Sequence, residues 1–227
     1  MALFVVTIDG PAASGKSTVA RLLAEKIRAT FLDTGAMYRA VTWAALHDGV
    51  DLTDECQLAG VIDRHAFAFD AAPGEMKVVI DGTDITGRIR DPELTASVRH
   101  IASSPTMRAK LVEMQRQFAQ RHGRVVTEGR DQGTVAFPDA AVKFYLVAEA
   151  TERARRRQAE LDAKGLHEDL EPLCEAILAR DAGDENRAVG PLKPASEAIL
   201  IDTTKLGIEE VVARVADRVK ARCSNRS

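Results

Sequence analysis

The sequence has few of the residues that define disulfide-stabilised or metal-binding proteins. Its 227 residues include three cysteines, Cys56, Cys174 and Cys223, which are widely separated and form no C-x-x-C pair. The five histidines share no metal-ligand spacing. We therefore predict reduced, structural cysteines and histidines that do not bind a metal.

Long apolar runs, aromatic residues and excess positive charge are also scarce. Aromatic residues make up 4% of the chain and the formal net charge is −3. No apolar run approaches the length that spans a membrane, and no aromatic-basic stripe offers a surface to nucleic acid. We expect a cytoplasmic protein with no membrane or nucleic-acid partner.

What the sequence does contain is a phosphate-binding loop near its start. Residues 10–17 match G-x-x-x-x-G-K-[ST], with an apolar, β-branched run at 3–8 before them and apolar residues at helical spacing after them. A strand, a glycine-rich loop and a helix form a phosphate cradle, because loop N–H groups and the positive helix end face the anion. The pattern predicts a nucleoside triphosphate site made of Gly10, Pro11, Ala12, Ala13, Ser14, Gly15, Lys16, Ser17 and Thr18.

Two side chains of this loop carry chemistry of their own. Lys16 is expected to place its charge on the β- and γ-phosphates, and the Ser17 hydroxyl suits Mg²⁺, which keeps most of its water. The motif predicts the triphosphate and the metal, and leaves the acceptor open.

Short apolar runs alternate with helical patterns along most of the chain. Strands are predicted at residues 3–8, 29–32, 124–128, 141–147 and 198–202, with an amphipathic closing helix at 207–222. This alternation predicts a layered α/β fold with a parallel sheet.

Two stretches interrupt the alternation. Residues 65–96 contain strand-like runs at 67–69 and 77–80, with turns at 72–74 and 81–83, which predicts a small antiparallel insert. Residues 151–194 are helical in pattern and rich in arginine. A core with two appended lobes is typical of an enzyme that closes over two substrates and excludes water.

Polar residues follow two of the predicted strands, at the sheet edge where ligands bind in α/β folds. Residues 33–39 follow the second strand: Asp33 or Thr34 is suited to cap the next helix, and Arg39 to hold a phosphate. Residues 128–131 follow the third strand, where Arg130 and Asp131 either face an acceptor or form a local pair in a turn.

The arginines of residues 151–194 also allow two interpretations. Arg153, Arg156 and Arg157 share a helical face, and either close onto transferring phosphates or form a solvated face with Glu152 and Glu160. The spacing i, i+4, i+7 also predicts one helical face for Arg180, Asp184 and Arg187.

The order and spacing of these segments resemble the bacterial cytidylate kinase family of P-loop nucleoside monophosphate kinases. The matching segments are residues 7–11, the loop, 33–39, 129–131, 133–135, 137–140, 180–181 and 186–188. The resemblance implies a three-layer α/β/α fold with a five-stranded parallel sheet, an inserted monophosphate-binding lobe that contains a small antiparallel sheet, and a helical lid. It implies one domain over 1–227, made of a core (1–36, 101–150, 190–227), the monophosphate-binding lobe (37–100) and the lid (151–189).

The same resemblance implies direct in-line transfer of the ATP γ-phosphoryl group to CMP or dCMP, with Mg²⁺, by a monomer. No covalent intermediate or strong base is needed, because the acceptor is already an anionic phosphate oxygen. The rivals are another small-molecule kinase, such as an adenylate or shikimate kinase, and a GTP-dependent switch. By resemblance, the antiparallel insert and the shared face of Arg180, Asp184 and Arg187 argue against the first, and the absence of an Asn-Lys-x-Asp segment argues against the second.

By matching motif, the resemblance also distributes roles among the site residues. The catalytic group is Lys16, Arg130, Arg156 and Arg187, and the lid residues that reach the ATP phosphates are Arg153, Arg156 and Arg157. Arg39, Arg130 and Arg187 hold the acceptor phosphate, Arg180 and Asp184 meet the sugar, Arg108 and Asp131 read the cytosine edge, and Thr34 and Tyr38 complete the acceptor site.

The chain departs from the family pattern at two positions. Ala13 stands where relatives often carry Gly, and Arg99 where some have a small polar residue near the base, with Ser97 or Ser103 as possible substitutes. The roles of Asp9 and Glu128 stay open between ordering Mg²⁺-bound water and supporting the loop.

Overall fold

The computed structural model describes residues 3–72, 75–163 and 165–224 as helices and strands that alternate through most of the chain. In chain order the elements are β1 (Phe4–Asp9), α1 (Lys16–Lys26), β2 (Thr30–Asp33), α2 (Thr34–His47), α3 (Glu55–Ala59), α4 (Val61–Arg64), β3 (Phe67–Ala72), β4 (Glu75–Ile80), β5 (Thr83–Asp84), α5 (Pro92–Ser103), α6 (Pro105–His122), β6 (Arg124–Gly129), β7 (Val142–Val147), α7 (Ala150–Asp162), α8 (Leu170–Glu185), β8 (Ile199–Asp202) and α9 (Ile208–Ser224). A 3₁₀ turn lies at Arg88–Arg90 and a π-helical turn at Gln132–Ala136.

Five parallel strands form the central sheet, in the order β2-β6-β1-β7-β8. Successive residues of β1 enter opposite cores, because side chains of a strand alternate between its two faces. Val5 packs with α2, α5 and α6, whereas Val6 and Ile8 pack with α1 and α9. Helices therefore cover both faces of the sheet, and the predicted three-layer α/β/α fold is confirmed.

The insert is a separate antiparallel sheet of three strands, in the order β3-β4-β5. Phe69, Met76 and Val78 bury one face of it against α2 and β2. The predicted turn at 81–83 is shorter than expected, because Thr83 already pairs with Ile80 as part of β5. Of the turn predicted at 72–74, Pro73 and Gly74 lie outside the described residues.

Helices α7 and α8 pack against each other around Ala154, Leu161, Leu173 and Ile177. The helical pattern predicted through residue 194 ends earlier, because α8 stops at Glu185 and the chain beyond Asn186 runs to β8 without a helix. Arg187 therefore lies outside the helix, and the prediction that it shares a helical face with Arg180 and Asp184 is wrong.

The three cysteines are free thiols, as predicted, although their surroundings differ. Cys174 and Cys223 are half-buried beside apolar clusters, which fits a structural role, but Cys56 is exposed. Within the described ranges, none of the helices combines the length and apolar character needed to cross a membrane.

Candidate active site

The phosphate loop connects β1 to α1 and depends on glycine at its first position. Gly10 has a φ of 154°, and a Cβ there would collide with the carbonyl oxygen of Leu146 on β7. Gly15 has a φ of 84° and precedes the first residue of α1. Backbone conformations of this kind cost little only for glycine, so the loop keeps its shape close to the neighbouring strand.

Lys16 is buried inside this loop. Its Nζ donates to the carbonyl oxygen of Pro11 at 3.1 Å and lies 4.0 Å from a carboxylate oxygen of Glu128 at the end of β6. Burial lowers the pKa of Lys16 and raises the pKa of Glu128. An anionic phosphate in the loop would favour the charged lysine, so the pair is suited to respond to a ligand.

The α7–α8 pair is tied directly to the loop. The backbone N–H of Ala12 donates to Asp181 at 3.1 Å, and Arg153 donates to the Ala12 carbonyl at 3.1 Å while pairing with Asp181. Arg156 lies beside Gly15 and donates to the carbonyl oxygen of Thr203 at 2.6 Å. A movement of these helices would therefore carry charged groups at the loop with it.

A second pocket opens next to the loop, at the carboxyl ends of β2 and β6. It is lined by Thr34, Gly35, Tyr38, Val98, Ala102, Arg108, Glu128, Gly129, Arg130, Asp131, Arg180, Asp184 and Arg187. Its volume is about 80 Å³, whereas sites for ligands of nucleotide size have roughly 300 Å³ or more. The pocket must widen before such a ligand enters.

The arginines Arg130, Arg180 and Arg187 line this pocket, and Arg39 lies outside its lining, beside Gly35; the four differ in how they are paired. Asp184 accepts from Arg130 Nε at 2.7 Å and also pairs with Arg187, so one carboxylate holds two guanidinium groups. Arg39 pairs with Asp33 at 3.2 Å. Arg180 forms no hydrogen bond or ion pair with any residue the structure describes, which leaves its charge available for a ligand.

Arg108 and Asp131 form a buried ion pair in the lining of the pocket. Burial raises the pKa of Asp131, whereas the Arg108 guanidinium favours its ionised form. Gly190 has a φ of 61°, and a side chain there would collide with both members of the pair. The segment after Arg187 thus covers the pair closely in this conformation.

The comparisons with known proteins agree along nearly the whole chain. The profile of the family described as Cytidylate kinase matches residues 6–221. A cytidylate kinase from Anoxybacillus flavithermus is 46% identical over 217 residues, which are 96% of this chain and 96% of the relative. Another from Lactobacillus gasseri is 42% identical over 223 residues, 98% of this chain and 96% of the relative. The chain belongs to the cytidylate kinase family.

Among solved structures, an uncharacterized protein from Eubacterium ventriosum aligns over 96% of this chain and 98% of its own. The TM-score is 0.51 and the identity is 11%, so this similarity shows the fold alone.

The sequence of this cytidylate kinase predicted most of the side chains that line the second pocket. Thr34, Tyr38, Arg108, Arg130, Asp131, Arg180, Asp184 and Arg187 all line it. The capping role proposed for Asp33 is confirmed, because its carboxylate accepts from the N–H of Ala36 at 2.8 Å. Thr34 Oγ1 instead donates to the carbonyl oxygen of Glu128 at 2.7 Å. Burial raises the pKa of Tyr38 to about 12, so its hydroxyl stays protonated.

The lid arginines of the family pattern stand in three different environments. Arg153 is buried against the loop, and Arg156 pairs with Glu152 as well as with Thr203. Arg157 is turned outward and pairs with Glu160 at 3.2 Å. Contact of these side chains with ATP phosphates stays a prediction.

Sequence reasoning missed the apolar wall of the pocket on α5. Val98 and Ala102, spaced i and i+4, line the pocket, whereas Arg99 is exposed and Ser97 donates back to the carbonyl oxygen of Glu93. The spacing of these two apolar residues could have predicted this wall, because residues four apart share a face of a helix. In this conformation neither Ser97 nor Ser103 is among the pocket-lining residues, so the polar contacts at this end come from Arg108 and Asp131.

Proposed function

We propose that this protein phosphorylates CMP and dCMP with ATP, and so forms CDP or dCDP and ADP by direct in-line transfer. Membership of the cytidylate kinase family supports the reaction class. The observation that carries the acceptor assignment is the pocket beside the loop, where three arginines and a buried Arg108–Asp131 pair converge.

The phosphate and the base of the acceptor are proposed to contact two different groups of charged residues. Arg39, Arg130 and Arg187 are proposed to hold the phosphate, because a planar guanidinium donates two parallel hydrogen bonds to an oxyanion. Arg108 and Asp131 are proposed to read the cytosine edge, with one donor group and one acceptor group. Arg180 and Asp184 also line the pocket and are proposed to meet the sugar.

ATP is proposed to occupy the loop at residues 10–18, with Mg²⁺ held through Ser17. Ser17 is exposed in the first turn of α1, and its side chain forms no hydrogen bond with the described residues. A free hydroxyl oxygen fits Mg²⁺, which prefers oxygen ligands and needs one or two of them from the protein. When bound, the metal ion would neutralise charge on the phosphates.

Catalysis by the chain's own residues is proposed to consist of positioning and charge neutralisation. Lys16 would leave the Pro11 carbonyl oxygen for the β- and γ-phosphates. Arg130 and Arg187 approach the transferring group from the acceptor side and Arg156 from the lid side, where donors to developing charge lower the barrier. No residue is needed as a strong base, since the acceptor oxygen is already anionic.

The proposal includes the arrangement of lobes and the state of the protein. The core is assigned to 1–36, 101–150 and 190–227, the monophosphate-binding lobe to 37–100, and the lid to 151–189. We propose a cytoplasmic monomer that uses nucleotides as its only partners, since a net charge of −3 gives no general attraction for nucleic acid. Light scattering coupled to size-exclusion chromatography checks the monomer against its calculated mass of 24.6 kDa.

A coupled ADP-release assay tests the function directly. ATP and Mg²⁺ are supplied with CMP, dCMP, UMP, AMP or shikimate in separate reactions. We expect CMP and dCMP to be turned over well above the other acceptors. Equal turnover with AMP or shikimate would contradict the acceptor assignment, while turnover of none would contradict the reaction itself.

A further inference from the structure

Both oxygens of the Asp9 carboxylate accept hydrogen bonds from backbone N–H groups. Asp9 is the last residue of β1, directly before the loop, and is 4% exposed. Its Oδ1 accepts from the N–H of Gln132 at 2.8 Å, and its Oδ2 accepts from the N–H of Gly133 at 2.7 Å. Both oxygens are therefore committed to the segment that follows Asp131.

These two amides are the first of the π-helical turn at Gln132–Ala136. The first N–H groups of any helical turn have no partner within the turn and need one from outside. The turn is closed on the other side by the Asp131 carbonyl oxygen, which accepts from the N–H of Val135 at 2.8 Å. Asp9 thus fixes the backbone directly after Asp131, as a capping carboxylate supplied by a different strand.

The Gln132 side chain extends this tie to α6, the helix that carries Arg108. Its Nε2 donates to Oε1 of Gln115 at 3.3 Å, and its Oε1 accepts from Oγ1 of Thr127 at 3.0 Å. Gln115, Thr127 and Gln132 are all buried. Both members of the Arg108–Asp131 pair are consequently anchored to one buried polar network that begins at Asp9.

We propose that Asp9 is a positioning residue for recognition of the acceptor base, acting through the backbone of Gln132 and Gly133 on Asp131. This inference rests on the proposed function, in which Asp131 contacts cytosine. The alternative role for Asp9, ordering Mg²⁺-bound water, needs a carboxylate oxygen that faces the phosphates. Its burial and its two amide partners favour the positioning role.

Asp9→Asn tests the proposal, because the amide places an N–H donor against one of the two backbone donors. We expect KM for CMP to rise about tenfold, the size of effect that a lost charge-assisted hydrogen bond produces. KM for ATP should change less than about threefold, and the preference for CMP over UMP should fall. An equal rise in both KM values, or no change in either, would overturn the proposal.

Asp181→Asn is the matched control on the other side of the loop. Asp181 is also buried, and it also accepts a backbone N–H, that of Ala12 at 3.1 Å. Because its partners are the loop and Arg153, we expect this variant to raise KM for ATP and to leave the preference for CMP over UMP intact. The same loss of base preference in both variants would mean a non-specific loss of order around the site and would overturn the proposal.

A double-mutant cycle with Asp131→Ala separates action through Asp131 from an independent effect. If Asp9 acts through Asp131, Asp9→Asn should add less than about twofold to KM for CMP in the Asp131→Ala background. Multiplying effects would overturn the proposal. If Asp9→Asn does not fold, as judged by circular dichroism, Asp9→Ser removes the carboxylate with a smaller side chain that adds no amide, and should give the same CMP-selective loss. Wild-type turnover of CMP in the same assay shows whether a failure belongs to this inference or to the proposed function.

Discussion

At the scale of single residues, Lys16 has the most exacting environment in the chain. Its ammonium group is buried and has a backbone carbonyl oxygen at 3.1 Å and a carboxylate at 4.0 Å as its nearest partners. Burying a charge is costly unless partners compensate for it. A position with so few partners is better explained by a ligand that completes it than by stability.

Lys16→Ala should lower kcat at least about 10²-fold, on the scale of losing one donor to developing charge in a transition state. The coupled ADP-release assay with CMP measures this loss. Lys26→Ala, an exposed lysine in the last turn of the same helix, is the control and should keep wild-type turnover. A Lys16→Ala enzyme with near wild-type kcat would refute the assignment.

The phosphate loop accommodates alanine at position 13 although the backbone there has a positive φ. The φ of Ala13 is 56°, in the left-handed region, where alanine is strained by about 1–2 kcal/mol. Glycine relieves this strain, but costs about 0.5–1 kcal/mol in entropy and gives up the methyl contact with the α7–α8 cluster. The opposing effects are of similar size, so alanine in place of glycine at this position changes the free energy of unfolding little.

Ala13→Gly should therefore change the free energy of unfolding by less than about 1 kcal/mol. Ala13→Val should lower it by more than about 1 kcal/mol, because a β-branched side chain is poorly tolerated at positive φ. Urea denaturation of both variants measures the difference. A valine variant as stable as wild type would show that the loop relaxes to another conformation.

At the scale of elements, His65 joins the antiparallel insert to the end of α2. Its Nδ1 lies 2.6 Å from Asp81, in the turn after β4, and its Nε2 lies 3.1 Å from Asp48, at the C-cap of α2. Arg64 also donates to Asp48, at 3.0 Å. Both ring nitrogens can donate to carboxylates only when the imidazole is protonated. The hydrogen bond with Asp81 raises the pKa of His65, and the same bond lowers the pKa of Asp81.

This contact should make stability depend on pH in a defined direction. Because the pKa is raised in the folded state, the contribution of His65 is fully present below its unfolded pKa of about 6.5 and is lost as pH rises through the folded value. The stability difference between wild type and His65→Gln should therefore be larger at pH 6 than at pH 9. Urea denaturation at both pH values measures it, and a difference independent of pH would argue against a charged histidine.

At the scale of the whole molecule, the pocket proposed for the acceptor is bordered by two parts of the chain that are far apart in sequence. Gly190 lies against Arg108 and Asp131 from the segment after α8, while Val98 and Ala102 approach from α5. The remaining volume of about 80 Å³ is too small for a nucleotide. We therefore expect the pocket to widen when the acceptor binds.

We expect the observed rate of CMP binding to level off as CMP concentration rises, because opening of the site limits it. Trp43, the single tryptophan, lies on α2, the helix that supplies Thr34 and Tyr38 to the pocket, and is the fluorescent probe for stopped-flow measurement. Trp43→Phe should abolish the signal and so identify its source. A rate that stays proportional to CMP concentration would mean that opening is fast or unnecessary.

Much of the architecture was predictable because it depends on local patterns. The apolar runs became β1, β2, β6, β7 and β8, with bounds displaced by one residue at most ends. The capping role of Asp33 and the loop motif were equally local, since each depends on residues within a few positions. The end of α8 was missed although the sequence signals it, because Gly190, Pro191 and Pro194 follow the helix and disfavour its continuation.

The sequence by itself determined the phosphate loop, the α/β alternation and the family resemblance, since each is written in short-range spacing. Only the tertiary structure decided which distant polar groups each buried carboxylate contacts. Asp181 reaches Ala12 across 169 positions, and Asp9 reaches Gln132 across 123. Such pairs depend on how the layers pack, because burial makes an unpaired polar group costly and lets packing select its partner.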